Sequence, residues 1–475
     1  MTHIKVVLCI LLLSYAYGRD DIYVQEASED FSLRAKVTKP LSLNIVIEQG
    51  MRKSFDENVR KNSKEILENN LQNKKERFYY PNLKLTLETS NTKIGALKNG
   101  NDSLKGNSKD ARGSAGLELG DYTLFNWGKD YLQYLNDEEQ IKRNIDVNDE
   151  ESRKFKQTLI HSYTKLLFYK ELVKIKKEQL RNASFIYRLN KEKVGIKKIT
   201  KHEYYQARSE YLRSQQEYYT EKLKYESTHE ELAQLIDDPP GTIYITREEF
   251  KHDQIRLSKK DAMKIGYRES PYVKDANSKT NVSNRSYEIA LRDNLPLPKI
   301  TMNLGTYKHQ FGETDNGTRH RTIDGDNDLE VVATVKASWT IFGDGGLLNR
   351  RKIANSRLEK ENSKLTSNQA RRQVEAYVTK LYLEFSNSHD MIKILNVRIP
   401  TLKKRVDLAL SRYLEKKANY NDFHLALVEL FETQASHMNL LWEYYSNKIL
   451  LAKIIGVEDL PGERFDLINN QGIKK

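Results

Sequence analysis

The chain has 475 residues, of which 79 are Lys or Arg and 66 are Asp or Glu, so its formal net charge at pH 7 is +13. Nine prolines and 22 glycines are too few for a collagen-like or proline-rich chain, and 28 tyrosines are too many for a solvated disordered polymer. The only cysteine, Cys9, lies in a segment that we expect to be removed. This excludes a disulfide scaffold, a cysteine-ligated zinc site and a thiol nucleophile.

The first 18 residues have the pattern of a secretory signal peptide. Lys5 supplies the positive start, and Val6–Leu13 is an apolar run too short to span a bilayer. Ala16-Tyr17-Gly18 then has the small-x-small form of a cleavage site. The alternative is an N-terminal membrane anchor. No later stretch approaches the ~20 consecutive apolar residues of a transmembrane helix, so any membrane crossing would use strands.

An internal repeat organises the rest of the chain. Pro81 and Pro298 each precede a strand-like segment, and they are separated by 217 positions. Leu124 and Ile341, within similar strand-to-helix motifs, are separated by 217 positions as well. Two separate matches at one offset indicate a duplication.

Each copy is predicted to contain a helix, two strands and a long helical hairpin, in that order. The first repeat covers 44–236 and the second 259–455, with a linker at 237–258 between them. The predicted elements are a helix at 44–80, strands at about 82–90 and 114–125 and a hairpin at 127–236, followed by a helix at 259–295, strands at about 298–309 and 329–342 and a hairpin at 345–455.

The predicted strands alternate between apolar and polar residues. Leu83, Leu85 and Leu87 alternate with polar side chains, and every second residue from Val331 to Ile341 is apolar. This period fits a half-buried strand, and it fits equally a barrel strand with lipid on one side and water on the other. The loops within the strand pairs are rich in Gly, Asn, Asp, Ser and Lys, so we expect them to be solvated.

The long helix of the second copy has a sustained repeat of 3.5 residues. From Val374 to Tyr413 the seam residues follow one another in alternating steps of four and three, and only Ser388 is not apolar. This spacing predicts a left-handed coiled coil. At the far end of the first hairpin, Thr200 and Glu203 have the spacing of a capping box that begins the return helix.

Four strands cannot close a barrel, because about eight are needed around a filled interior. Open sheet edges cannot face lipid, because every backbone N–H and C=O there must be paired. If these strands lie in a membrane, several chains must share one barrel, and three chains would supply twelve strands.

This order of elements resembles the TolC-type outer-membrane efflux channels, also called outer membrane factors, over residues 41–456. The resemblance rests on the prolines that precede the strands, on the strand-to-helix motifs and on the tips of the two hairpins. The residues that carry it are Pro81, Pro298, Leu124-Phe125-Asn126-Trp127-Gly128, Trp339-Thr340-Ile341-Phe342-Gly343-Asp344-Gly345-Gly346, Val194-Gly195-Ile196, Ile199-Thr200, Ala207, Ile399-Pro400, Tyr413, Asn419-Tyr420-Asn421-Asp422, Ala426 and Leu427.

The resemblance implies an α+β membrane protein in the outer membrane of a Gram-negative type envelope. Three protomers would form a 12-stranded β-barrel that continues into a periplasmic α-helical barrel. Residues 19–43, 237–258 and 456–475 would be periplasmic. The implied function is a passive exit duct of a tripartite efflux or type I secretion system, working with a periplasmic adaptor protein and an inner-membrane transporter. Catalysis, a cofactor and nucleic-acid binding are not expected.

The resemblance also implies a gate at the periplasmic tip. Tyr413, Asp422 and Thr200 match three residues that help to hold the entrance shut in the family. Lys201 stands where an acidic residue would be expected, and Ala418 where some members have arginine, so the family's network is only partly present. Alternatively, Tyr413 is the last core position of the 3.5-residue repeat.

The two tips are basic. Residues 191–201 hold five lysines and one glutamate, and residues 403–417 hold six basic and two acidic side chains. Clustered charge focuses a local potential, so the entrance would favour anionic cargo or an acidic adaptor surface. A solvated helix surface is the alternative. The residues expected to dock the adaptor are Gly195, Lys197, Lys198, Lys416, Lys417 and Asn419.

Other motifs are weak. Asp324-Gly325-Asp326-Asn327-Asp328 has the spacing of a short calcium loop but lacks the distal glutamate, so no metal site is predicted. No phosphate-binding loop and no Ser-His-Asp arrangement is found.

The competing interpretation of the whole chain is a periplasmic coiled-coil scaffold without a pore. That interpretation explains the helices and the charge, but it does not explain the duplicated strands.

Overall fold

The computed structural model describes six stretches of the chain, which are residues 38–89, 113–250, 252–311, 333–339, 349–415 and 417–460. The predicted signal peptide, most of both polar loops, the last 15 residues and Lys416 lie outside these stretches. The chain divides into two units. The first unit consists of Met1–Val59, Ser152–Ala262 and Tyr377–Lys475, and the second of Arg60–Glu151 and Met263–Ala376.

The described residues are mostly helical. The helices are α1 (Leu43–Lys53), α2 (Phe55–Tyr79), α3 (Lys129–Gly195), α4 (Lys201–Ile236), α5 (Lys259–Glu269), α6 (Pro271–Asp293), α7 (Arg350–Leu414) and α8 (Tyr420–Ile455). The strands are β1 (Thr38–Leu41), β2 (Leu83–Thr89), β3 (Gly113–Phe125), β4 (Ile243–Thr246), β5 (Lys299–Phe311) and β6 (Ala333–Ser338).

The second unit contains an antiparallel sheet with the strand order β2-β3-β5-β6. Leu83 of β2 lies opposite Leu119 of β3, and Lys299 of β5 lies opposite Ser338 of β6. The register between β3 and β5 shifts at three points before Phe125, as happens at β-bulges. Among the described strands β2 and β6 have one neighbour each, so both outer edges of the sheet carry backbone groups that no described strand pairs.

The first unit contains a parallel pair of short strands, β1 and β4. Lys39 reinforces this pair, because its Nζ lies 2.8 Å from Oδ2 of the buried Asp238. Strand β4 lies within the predicted linker 237–258, where the sequence pattern indicated no strand. Four residues are too few for an alternating pattern to be recognised.

The buried face of α7 follows the 3.5-residue seam. From Val378 onwards, in the first unit, the seam side chains that are less than 10% exposed are Val378, Leu381, Phe385, Ser388, Ile392, Leu395, Leu402, Val406 and Tyr413. Ser388 is therefore a core residue in spite of its hydroxyl. Sustained burial at this spacing is typical of coiled-coil packing.

Two of the predicted helices are wrong as single helices. In the structure each of these segments forms two helices. The segment 44–80 is broken at Ser54 and the segment 259–295 at Ser270, and both serines have φ near −57° with ψ 131°. Pro271 explains the second break, since a residue before proline is driven out of the helical region. No proline follows Ser54.

The two breaks share a sequence motif, Gly-x-Arg-x-Ser, at Gly50–Ser54 and Gly266–Ser270. In both copies the serine N–H donates to the glycine carbonyl oxygen, at 3.2 and 3.1 Å. The serine carbonyl then accepts the first hydrogen bond of the next helix. The motifs are separated by 216 positions, so the structure adds a third repeated feature to the two that the sequence indicated.

Candidate gate and docking tip

The turn between α3 and α4 is closed by a Schellman motif. The Lys198 N–H donates to the Lys193 carbonyl oxygen at 2.9 Å, and the Lys197 N–H donates to the Val194 carbonyl oxygen at 3.0 Å. This geometry places Lys197 in the left-handed region, with φ 56°. Glycine is the usual residue there, because a side chain costs roughly 1–2 kcal/mol in that conformation.

The turn between α7 and α8 repeats this design. The Lys417 N–H donates to the Arg412 carbonyl oxygen at 2.8 Å, which is the bond that Lys198 makes in the first turn. Thr200 and Asn419 then occupy the N-cap positions of α4 and α8 with extended backbones. The Thr200 hydroxyl accepts from the Glu203 N–H at 3.3 Å, whereas the Asn419 side chain makes no capping bond.

A buried aromatic cluster supports the tips from within the first unit. Tyr413 is 5% exposed, and its ring stacks on Phe423 with 6.1 Å between centroids. Its hydroxyl donates to Oδ1 of Asn190 on α3. Nζ of Lys193, also on α3, lies 4.6 Å from the centre of the Tyr413 ring. Burial raises the pKa of Tyr413, so its hydroxyl remains a hydrogen-bond donor at neutral pH.

Asn190, the partner of Tyr413, is a site residue that the sequence motifs did not indicate. Asn190 is fully buried, and its Nδ2 has no hydrogen-bond partner among the described atoms. It lies three residues after Tyr187, which ends an apolar seam in the long helix of the first repeat that is looser than the seam of α7. The members of this seam are Phe155, Leu159, Tyr163, Leu166, Val173, Leu180, Ala183 and Tyr187. A polar residue that continues such a seam is a known device for fixing the register of packed helices, and that signal could have identified it.

The three predicted gate residues occupy different environments. Tyr413 is in the core and bonds Asn190, while Thr200 caps α4. Asp422 is exposed in the first turn of α8, where a carboxylate interacts favourably with the helix dipole. Tyr413 therefore has the buried position that the alternative interpretation expected, and it also joins the tips of two helices.

The predicted docking residues lie on the surface wherever they are described. Gly195, Lys197 and Lys198 are exposed in the first turn, and Lys417 and Asn419 in the second. Lys417 also forms an ion pair of 2.8 Å with Glu415. Lys416 lies outside the described residues.

No described helix has a long enough apolar stretch to cross a membrane. No cluster of His, Cys, Asp or Glu in the described stretches has an arrangement that would hold a metal ion.

Comparisons with known proteins give a family match over part of the chain and a shared fold over most of it. Residues 270–457 match the model of the outer membrane efflux protein family. No curated protein sequence matches the chain.

Several solved structures share the fold at low sequence identity. The outer membrane protein VceC of Vibrio cholerae is 15% identical, with 87% of this chain and 96% of VceC covered at a TM-score of 0.69. The CmeC outer membrane channel of Campylobacter jejuni is 14% identical, with coverages of 91% and 92% and the same TM-score. For CusC the identity is 16%, the coverages are 90% and 96%, and the TM-score is 0.67. The chain is therefore similar to the outer membrane efflux protein family over its second repeat, and it shares the fold of solved outer membrane channels over most of its length.

Proposed function

We propose that the chain is the outer-membrane exit duct of a tripartite efflux or type I secretion system. The observation that carries this proposal is the antiparallel sheet, whose two outer edges no described strand pairs, in a chain with this fold and with a family match over its second repeat. Backbone groups at such edges must find partners before a sheet can enter lipid. Three copies would pair their edges and close a twelve-stranded barrel, with the long helices continuing into the periplasm.

The duct is passive in this proposal. The chain would be exported by its signal peptide, and its helical tips would meet a periplasmic adaptor protein that connects it to an inner-membrane transporter. Energy and substrate selection would then come from the transporter. The outer membrane of a Gram-negative type envelope is the expected location, with outer-membrane lipid around the strands.

Gating is proposed for the tips, with Tyr413 as the central residue. The hydrogen bond from Tyr413 to Asn190 ties α7 to α3 close to both turns. Opening an entrance at the tips would require these helices to separate or slide, and the buried bond would then be broken. Thr200 and Asp422 would contribute by fixing the starts of the return helices.

The experiment is to record currents from the purified full-length protein in planar lipid bilayers. We expect discrete, long-lived conductance steps, and we expect Tyr413→Phe to increase the open fraction, because it removes the bond between α7 and α3. Phe185→Tyr is a matched control, because it alters an exposed α3 side chain by one hydroxyl. Absence of conductance together with release from membranes by salt alone would support the coiled-coil scaffold instead.

A further inference from the structure

The two turns and the helix ends that lead into them carry most of the net charge of the chain. Residues 191–201 and 403–417 together hold eleven basic and three acidic side chains, a net charge of +8, whereas the whole chain carries +13. A concentration of one sign of charge at one place creates a potential that recruits groups of the opposite sign. We use the name tip surface for its described, exposed side chains Ile196, Lys197, Lys198, Lys201, Leu414 and Lys417.

Two lysines of the tip surface occupy equivalent places in the two turns. Lys198 and Lys417 each make the bond that closes a turn, and each lies two residues before an N-cap. The duplicated fold therefore holds the backbone of one lysine in the same geometry in each turn. The ammonium groups of these two lysines can contact two carboxylates of one partner.

Two further lysines occur where local structure disfavours them. Lys197 has a left-handed backbone in which glycine would be relaxed. Lys201 is the first residue of α4, where the helix dipole disfavours a positive charge. Local folding explains neither residue, and both are exposed. Departures from local preference of this kind are typical of functional surfaces.

Apolar side chains lie among these charges. Ile196 is 61% exposed beside Lys197, and Leu414 is 46% exposed beside the second turn. The buried cluster that contains Tyr413 also includes Tyr420 and Phe423 from the start of α8, so it packs the two helix ends that flank the second turn against each other. Small hydrated anions would need only the lysines, whereas a protein surface would also cover the exposed apolar groups.

We propose that the tip surface binds an acidic protein surface, with carboxylates against Lys197, Lys198 and Lys417 and apolar side chains over Ile196 and Leu414. The inference rests on the proposed function, in which an adaptor protein docks at these tips, and it adds the chemistry of the partner. Glu192, exposed in the first turn, would lie outside the contact or at its rim. Glu415 forms a 2.8 Å ion pair with Lys417, and a carboxylate of the partner would have to replace it or share the ammonium group with it.

The test is site-specific photo-crosslinking of the full-length protein in its native cells, with p-benzoylphenylalanine replacing Ile196. Four backgrounds are compared. They are the unaltered chain, a charge reversal (Lys197→Glu, Lys198→Glu, Lys417→Glu), a neutral set (Lys197→Gly, Lys198→Gln, Lys417→Gln) and a control reversal on the exposed start of α5 (Lys259→Glu, Lys260→Glu). The neutral set relaxes the strained turn, so it separates lost charge from lost folding.

We expect one periplasmic protein to be crosslinked, through a peptide with a net negative charge. The yield should fall ~10-fold or more in the charge reversal, because complementary contacts become repulsive. It should fall less in the neutral set and remain unchanged in the control. In isolated membranes the crosslink should weaken as ionic strength rises from ~0.1 M to ~1 M, since the Debye length shrinks from about 10 Å to about 3 Å.

A neutral or basic crosslinked peptide, or equal yields in the charge reversal and the control, would overturn the inference. It would also be overturned if the reversal changed only the anion-to-cation permeability ratio, since the lysines would then act on small ions. Bilayer currents of the unaltered protein test the proposed function separately: a conducting channel with no charge-dependent crosslink refutes only the inference.

Discussion

At the scale of single residues, Gly50 is constrained by a close neighbour. A Cβ atom on Gly50 would lie 2.5 Å from Cδ1 and 2.8 Å from Cδ2 of Leu159, which is itself fully buried. We expect Gly50→Ala to destabilise the protein by about 1–3 kcal/mol, the usual result of overpacking a core. Urea unfolding of the detergent-solubilised protein measures the effect.

Gly195 provides the matched control for this substitution. It also lies in a helix, but a Cβ there would meet nothing within 4 Å. Gly195→Ala should therefore leave stability unchanged or raise it by up to about 1 kcal/mol. Equal unfolding midpoints for the two variants would show that Leu159 does not confine Gly50.

The Tyr413–Asn190 pair gives a second prediction at this scale. Tyr413→Phe removes the donor and leaves a fully buried amide oxygen unpaired, which costs about 1–3 kcal/mol. Combining it with Asn190→Leu replaces both polar partners by apolar groups, so much of the loss should be recovered. A double-mutant cycle on urea unfolding measures the coupling, and strictly additive losses would mean that the two side chains do not interact.

At the scale of elements, a histidine pair joins the segment after β4 to α7. Nε2 of His252 and Nδ1 of His389 are 2.7 Å apart, so at least one of the two rings must be neutral. Burial, followed by the charges of His389, Lys448 and His437, lowers the pKa of His252 to about 4, although Asp253 acts in the opposite direction.

This pair predicts a loss of stability in acid. The folded pKa of His252 is below the ordinary value of 6.5, so the folded state favours the neutral ring. The contribution is fully present above pH 6.5 and is lost as the pH falls towards about 4. We expect His252→Gln to flatten the unfolding profile over that interval, and His202→Gln, on an exposed tip residue, to leave it unchanged. The same slope in both variants would argue against a role for the pair.

The helices show what a single sequence can and cannot indicate. The 3.5-residue spacing predicted which face of α7 is buried, because heptad packing repeats over many helical turns. A single polar residue in the seam, Ser388, does not hide the pattern. The break at Ser54 was missed, since no proline marks it and Gly-x-Arg-x-Ser is not a recognised helix-breaking pattern. Asn190 was missed for a similar reason: a single polar residue in a loose seam acquires its role only when Tyr413 is placed beside it.

At the scale of the whole molecule, the account depends on several copies of the chain sharing one sheet. The described four-stranded sheet has two open edges, and its order β2-β3-β5-β6 places one strand pair from each repeat side by side. The sequence could supply the duplication and the strand positions, because both leave local patterns. The sequence could not supply the number of chains that share the sheet, because no local pattern shows how the outer strand of one chain pairs with the outer strand of another.

The most direct measurement is the native mass of the full-length protein extracted from outer membranes in detergent, corrected for the bound detergent. The account predicts a complex of three chains that remains in the membrane when salt is added and leaves it only with detergent. A single chain or a pair, released by salt without detergent, would contradict it.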